Sequence, residues 1–251
     1  MDLGFEGARA VVTGGSKGMG RAIAELLADE GAAVAVLARS PEALDETVAA
    51  LRERGEADHV GLPVDVGDPE QIVAAFDGLG RRWGSLNALV NTVGPFAGTF
   101  DELTDADWDS AFTLGTMSMV RCTRAALPLL RQADWARIMN FAAHSVQRQS
   151  PRLVAYTASK AALVSASKNL ARSLGPEGIL VNTISPGTIV TDSFVTRLRP
   201  VLEADGLDAS DPTDVMTWVE RTFHHPADLG RAGLPEEIAS ITAYLASRRN
   251  S

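Results

Sequence analysis

Six short apolar runs, each followed by a helix-length amphipathic stretch, constrain the fold of this chain more than any other feature. The runs are Ala8–Thr13, Ala33–Ala38, Val60–Val66, Leu86–Asn91, Arg137–Ala143 and Ile179–Ser185. They are apolar on both faces, as strands sandwiched between helices should be. Helices are predicted over Gly20–Glu30, Pro41–Arg54, Pro69–Trp83, Asp105–Gln132 and Leu153–Leu174. Ser40-Pro41 and Asp68-Pro69 read as helix starts, a short polar cap followed by a proline that suits the first turn. Strand and helix in alternation imply an α/β fold: a doubly wound parallel sheet with right-handed crossovers and helices on both faces.

After Thr191 the alternation stops. Residues 192–230 carry Phe194, Val195, Leu198, Val201, Leu202, Leu207, Val215, Met216, Trp218, Val219 and Phe223 at helical spacings. Asp208-Ala209-Ser210-Asp211-Pro212 breaks them into two groups. The prediction is two helices forming a lid on a single domain spanning 1–251, closed by a last helix at Pro235–Ala246. No internal repeat, low-complexity tract or linker interrupts the chain.

Composition narrows the classes. The one cysteine, Cys122, has no partner for an internal disulfide, which fits a reducing compartment. A formal charge of −9 argues against a nucleic-acid or anionic-membrane surface. No apolar run approaches the ~20 residues needed to span a bilayer. The start, Met1-Asp2-Leu3-Gly4-Phe5-Glu6, lacks the basic and apolar regions of a signal peptide. The expected location is cytoplasmic, with no nucleic-acid or membrane partner.

Thr13-Gly14-Gly15-Ser16-Lys17-Gly18-Met19-Gly20 follows the first strand and opens the first helix. Glycines there let the backbone approach a pyrophosphate, and the N–H groups of the helix terminus bind its charge. Met19 and Ser16 belong to the same loop. After the second strand, a chain selecting NAD(H) carries an acidic residue for the ribose 2′-hydroxyl, whereas this one has Ala38-Arg39-Ser40. Arg39 can pair with a 2′-phosphate through its planar fork, and Lys17, one of only three lysines, adds a second charge. NADP(H) is therefore favoured, with NAD(H) as the alternative.

Tyr156 and Lys160 stand four apart on the fifth predicted helix and share a face. A nearby ammonium favours the phenolate, so such a tyrosine can exchange a proton with an alcohol or carbonyl.

With these motifs in order, the chain resembles the short-chain dehydrogenase/reductase family from residue 5 to about 247. Thr13–Gly20 is similar to its T-G-x-x-x-G-x-G loop. Asp65-Val66 stands where the family contacts adenine, and Asn91-Thr92-Val93-Gly94 resembles its N-N-A-G segment. Tyr156 and Lys160 match its Y-x-x-x-K pair. Pro186-Gly187-Thr188-Ile189-Val190-Thr191 resembles P-G-x-x-x-T, whose threonine seats the nicotinamide carboxamide. Arg231–Ala239 is similar to R-x-G-x-P-E-E-I-A. The resemblance implies a Rossmann-type fold, Tyr156 as proton donor or acceptor, and Lys160 holding the ribose hydroxyls and lowering the Tyr156 pKa. It implies a small carbonyl or alcohol substrate and a homodimer or homotetramer.

The chain departs from the family at two catalytic positions. The usual serine, thirteen positions before the tyrosine, is Ala143. The usual asparagine, seven after Trp108, is Gly115. Losing one donor to a reacting oxygen costs about 10²–10³ in rate. Ser145 replaces the serine if the chain turns inward; His144 does so if the strand has ended. The family's seventh edge strand has no counterpart after the last predicted helix, so either the sequence stops short of it or the sheet is expected to lack it; a helical interface through 105–132 and 153–174 is still available. That interface is predicted to use Ala155, Ala158, Ala161, Ala162, Ala166 and Ala171 for close approach.

The leading reading is an oxidoreductase interconverting a ketone and a secondary alcohol, on an apolar substrate suggested by the apolar lid. The alternative is an NADP(H)-binding protein without redox turnover, or a non-redox acid–base enzyme. His59 reads as a surface residue. His224-His225 has no cysteine or ligand-spaced partner, so no metal site is expected.

Overall fold

A computed structural model of the chain describes residues 2–95 and 97–251. Six parallel strands form one sheet: β1 (Arg9–Thr13), β2 (Ala33–Ala38), β3 (Val60–Pro63), β4 (Ala88–Asn91), β5 (Ala136–Phe141) and β6 (Ile179–Ile184). Their order is β3-β2-β1-β4-β5-β6. It reverses between β1 and β4, where Thr13 pairs with Asn91. A ligand crevice opens at such a switch point, outside the carboxyl ends of the strands.

Successive strand residues point to opposite faces, and both faces are covered. Val12, Val36, Val90 and Met139 join Ile23, Leu27 and Ala243 in one buried cluster. Their neighbours Val11, Ala35, Leu89 and Ile138 join Ile72, Phe76 and Cys122 in the other. The first cluster brings in α1 (Gly18–Asp29) and α9 (Pro235–Ala246), the second α3 (Pro69–Trp83) and α5 (Ser118–Leu130). This two-sided burial is what the unbroken apolar runs require.

The caps read from sequence form. The Ala43 N–H donates to Ser40 Oγ at the start of α2 (Pro41–Arg52). Asp68 accepts from the N–H groups of Glu70 and Gln71 at the start of α3. Between β5 and β6 runs the long α6 (Val154–Leu174).

Four expectations need correction. The helix predicted over 105–132 is α4 (Asp105–Phe112) and α5, joined by a π turn at Thr113–Met117. Gly115 sits in that turn, and insertions of this type recur at functional sites. The third strand stops at Pro63, which leaves Asp65 and Val66 in the following turn, where the Gly67 N–H donates to Asp65 Oδ1. The fifth strand stops at Phe141, so Ala143 and His144 lie beyond it. His59 is not on the surface: it is 3% exposed, and its Nδ1 accepts the Val34 N–H. An imidazole at the start of β3 thus satisfies a sheet N–H, and burial holds its pKa below the usual histidine value.

The lid region folds as α7 (Asp192–Ala204) and α8 (Pro212–Phe223), with its own buried cluster around Leu202, Val215, Met216 and Val219. No strand follows α9 among the described residues. The terminal residues turn back to Arg137, whose guanidinium donates to the carbonyls of Ser247 and Asn250. No described helix is long and apolar enough to cross a membrane.

Candidate active site

The glycine loop joins β1 to α1 at the switch point. Gly14 and Gly18 have φ of +67° and +53°, a region that strains residues with a Cβ. At Gly20 the constraint is space, since a Cβ would lie 2.4 Å from the Gly14 carbonyl oxygen. Lys17 caps α1 without a side-chain hydrogen bond, and the first turn holds no acidic residue. The backbone N–H groups of that turn keep their capacity for an anion, and Met19 lies in the same turn. The cradle fits the pyrophosphate of a dinucleotide. Ser16 is buried, whereas Lys17 is exposed above it.

Arg39 is exposed at the end of β2 and forms no ion pair among the described residues. It lies next to Ser40, which is occupied as the cap of α2. The Asp65 carboxylate accepts from the Gly67 N–H, and Val66 is buried beside it.

Residues 91–94 connect this loop to Tyr156 and Lys160. Asn91 Nδ2 donates to Asn140 Oδ1 across β4 and β5, and Asn140 Nδ2 donates to Ser167 on α6. All three residues are buried. Thr92 Oγ1 donates to the Thr13 carbonyl at 2.5 Å. The Val93 carbonyl accepts from Lys160 Nζ at 3.0 Å, and the Phe141 carbonyl accepts from the same ammonium at 2.6 Å. A Cβ on Gly94 would lie 3.7 Å from Lys160 Nζ and 3.9 Å from Tyr156 Cε2. Both side chains thus flank Gly94, which is itself exposed.

Burial sets the charge states there. It pushes the Lys160 ammonium down to about 8. It pushes the Tyr156 phenol above its usual value, which corrects the expectation that Lys160 lowers it. The reason is geometric: the ammonium is aimed at two carbonyl dipoles, and desolvation of the phenolate dominates at Tyr156.

The two departures from the family pattern have different surroundings. Gly115 packs so closely on α6 that a Cβ would lie 2.2 Å from Ser159 Oγ. The Thr116 hydroxyl donates to the Ser159 carbonyl at 2.7 Å, so the π turn grips α6 at the residue before Lys160. Ala143 is buried and extended, with φ −157° and ψ 148°, and a 3₁₀ turn follows at His144–Val146. Within it the Ser145 hydroxyl accepts from the Thr157 hydroxyl at 3.2 Å, which ties Ser145 to the residue after Tyr156. The His144 N–H donates to the Pro186 carbonyl.

Pro186 and Gly187 lead from β6 towards the lid. Thr191 caps α7, accepting the Phe194 N–H on its hydroxyl at 3.2 Å. Its Cγ2 would lie 3.1 Å from a Cβ on Gly18, so the segment closes against the glycine loop. In the lid, Phe194, Trp218 and Phe223 stack edge to face. That packing occupies apolar side chains on which the expectation of an apolar substrate rests. Among the described residues no His, Cys, Asp and Glu cluster could hold a metal.

Sequence reading missed Thr92, Asn140, Thr157 and the two carbonyls that hold Lys160. Asn140, a polar residue in the middle of an apolar strand, was the signal available; the carbonyls had none.

Comparison with known proteins agrees with this geometry. A family model described as enoyl-(acyl carrier protein) reductase matches residues 14–251. Dehydrogenase/reductase SDR family member 4 of Caenorhabditis elegans is 32% identical over 249 residues, covering 98% of this chain and 91% of the relative. The putative ketoacyl reductase of the monensin polyketide synthase from Streptomyces virginiae is 35% identical over 242 residues, 95% of this chain and 89% of the relative. The crystal structure of L-sorbose reductase from Gluconobacter frateurii, complexed with NADPH and L-sorbose, superposes with a TM-score of 0.91. It has 31% identity and covers 100% of this chain and 93% of that one. With the glycine loop, the Tyr156–Lys160 pair and full-length similarity in agreement, the chain belongs to the short-chain dehydrogenase/reductase family of oxidoreductases.

Proposed function

We propose that this protein is an NADP(H)-dependent reductase interconverting a ketone and a secondary alcohol. The observation that carries the reading is that Tyr156 and Lys160 both flank Gly94, on the segment that braces the glycine loop. Arg39 and Lys17 supply the positive charge that a 2′-phosphate needs, and the superposed sorbose reductase binds NADPH. Gly14, Ser16, Lys17, Gly18, Met19 and Gly20 would hold the diphosphate side. Asp65, Val66, Asn91 and Gly94 would flank the adenosine and ribose, and Pro186, Gly187 and Thr191 the nicotinamide. When bound, the cofactor supplies the hydride.

The chain's own residues handle the proton and the substrate oxygen. An ammonium has three N–H bonds. Two of those on Lys160 go to backbone carbonyls, which leaves one for a ribose hydroxyl. Tyr156, kept protonated by burial, gives its phenolic proton to the carbonyl oxygen as negative charge develops there. Ser145 replaces the absent serine as a donor to that oxygen. Its tie to Thr157 beside Tyr156 supports this role, and His144 is its competitor. We keep two copies or four, paired through α4, α5 and α6, as the proposed assembly.

NADPH oxidation should be followed over a panel containing both apolar ketones and ketoses. Native turnover should fall by about 10²–10⁴ in Tyr156→Phe. It should fall by about 10²–10³ in Ser145→Ala and be restored by adding Ala143→Ser. Full activity in both Ser145→Ala and His144→Ala would remove the replacement idea. The second reading, cofactor binding without turnover, rests on Gly115, where Ser159 leaves no space for an asparagine side chain. NADPH binding with no turnover on the whole panel would favour it.

A further inference from the structure

We infer that Thr92 is the positioning residue of the glycine loop, its hydroxyl fixing the loop for a dinucleotide pyrophosphate. The inference rests on the cofactor reading above. Position 92 departs from the N-N-A-G pattern, and the departure puts a hydroxyl at the switch point. Thr92 Oγ1 donates to the Thr13 carbonyl at 2.5 Å, and the Thr92 N–H donates back to Thr13 Oγ1 at 3.3 Å. The ends of β1 and β4 are thereby locked reciprocally, just beyond their last paired residues, Thr13 and Asn91.

The same oxygen is the surface on which the loop folds. It lies 3.0 Å from a Cβ built on Gly14 and 2.9 Å from one built on Gly20. The first and last glycines of the Gly14–Gly20 segment therefore close on one hydroxyl, at a distance that excludes a Cβ at Gly20 and crowds one at Gly14. A hydroxyl carries one donor, and here it goes to the Thr13 carbonyl. Valine at this position keeps the shape, loses the donor and puts a bulkier methyl against both glycines. Among the described residues Thr92 hydrogen-bonds to Thr13 and to neither Tyr156 nor Lys160, so its loss should move cofactor binding and leave the chemical step alone.

The test is a titration of NADPH, followed by its fluorescence, into the native protein and into Thr92→Val, Thr92→Ala and Thr92→Ser. No substrate is needed. One lost hydrogen bond predicts a rise of roughly three- to tenfold in the dissociation constant for Val and Ala. Ser, which keeps the hydroxyl, should bind as the native protein does. Where a substrate is in hand, kcat at saturating NADPH should stay within about twofold in Val while the KM for NADPH rises. Native-like binding by Val and Ala overturns the inference, as does Ser binding as weakly as they do. Loss of the folded state in both hydroxyl-less variants, read by circular dichroism, would make Thr92 a residue of the fold and also overturn it. A native protein that does not bind NADPH defeats the cofactor reading itself, a result separate from any difference between variants.

Discussion

Two buried cations stand at opposite ends of β5, and the contrast between them separates fold from chemistry. Arg137, 6% exposed near the start of the strand, donates to the carbonyls of Ala136, Ser247 and Asn250. Its guanidinium lies 5.6 Å from the Trp135 ring centroid. Lys160, 2% exposed, donates to the Phe141 carbonyl at the other end of the strand and to Val93. Neither has a carboxylate within ion-pair distance among the described residues, and burial lowers the pKa of both. The arginine stays charged at any ordinary pH, and its fork is directed at backbone. The lysine is pushed down to about 8, has an N–H to offer and flanks Gly94 together with Tyr156. Burial at the two ends of one strand thus gives a structural bolt at one end and, on the proposed function, the cation of the active site at the other, according to donor geometry and to what else converges there.

Exchanging each cation for methionine should sharpen the contrast. Lys160→Met is expected to lower turnover by about 10²–10⁴ at pH 7 while circular dichroism stays native. Full activity in this variant would end the catalytic assignment. Arg137→Met should do the reverse. Three carbonyls lose a charged donor, so denaturant unfolding should show a loss of about 2–4 kcal/mol. Its kcat per folded molecule should stay native, and a selective loss of kcat would break the comparison.

The pH dependence should divide the two cations further. Below about 8 Lys160 is charged, and above it the charge is lost. Tyr156, raised by burial, stays protonated through that range. Carbonyl reduction should therefore fall as pH rises through about 8. Stability should not fall with it. The folded pKa of Lys160 lies below the ordinary 10.5, so the fold releases this proton first, and the Lys160 contribution to stability rises between about 8 and 10.5. Rate and melting temperature tracking each other across this window would contradict the assignment.

The smallest effect belongs to a surface pair at the same end of the sheet as Arg137. Arg82 and Trp83 Nε1 hold Asp58 at about 2, below the ordinary 3.8. A depressed acid stabilises above its unfolded pKa and loses that contribution as pH falls through its folded value of about 2. Both side chains are half exposed, so Asp58→Asn should cost no more than about 1 kcal/mol at pH 7. The difference should shrink as pH falls through about 2 and vanish only below it, and a gap that does not shrink would point to packing in place of charge.

The doubly wound sheet was legible because two-sided burial writes unbroken apolar runs into the sequence, as at Val34–Leu37 and Ile138–Met139. The caps Ser40 and Asp68 were legible because a short polar side chain before proline has few other uses. The glycine loop and the Tyr156–Lys160 pair were legible as patterns of residue type. The π turn at Gly115 was not, since α4 and α5 each keep the ordinary helical period and the turn only shifts one against the other. Nor was the burial of His59, because a single polar residue ahead of a strand looks the same whether it meets water or a sheet N–H.

By itself, the sequence determined which side chains exist to do chemistry and in which elements they stand. Tertiary structure decided their states. Lys160 near 8, Tyr156 raised, Thr92 under two glycines and Ser145 against Thr157 all depend on strand ends and helices distant in the chain. Their cause is desolvation together with backbone carbonyls and hydroxyls. Every chain carries those groups, and no residue letter says where they will point.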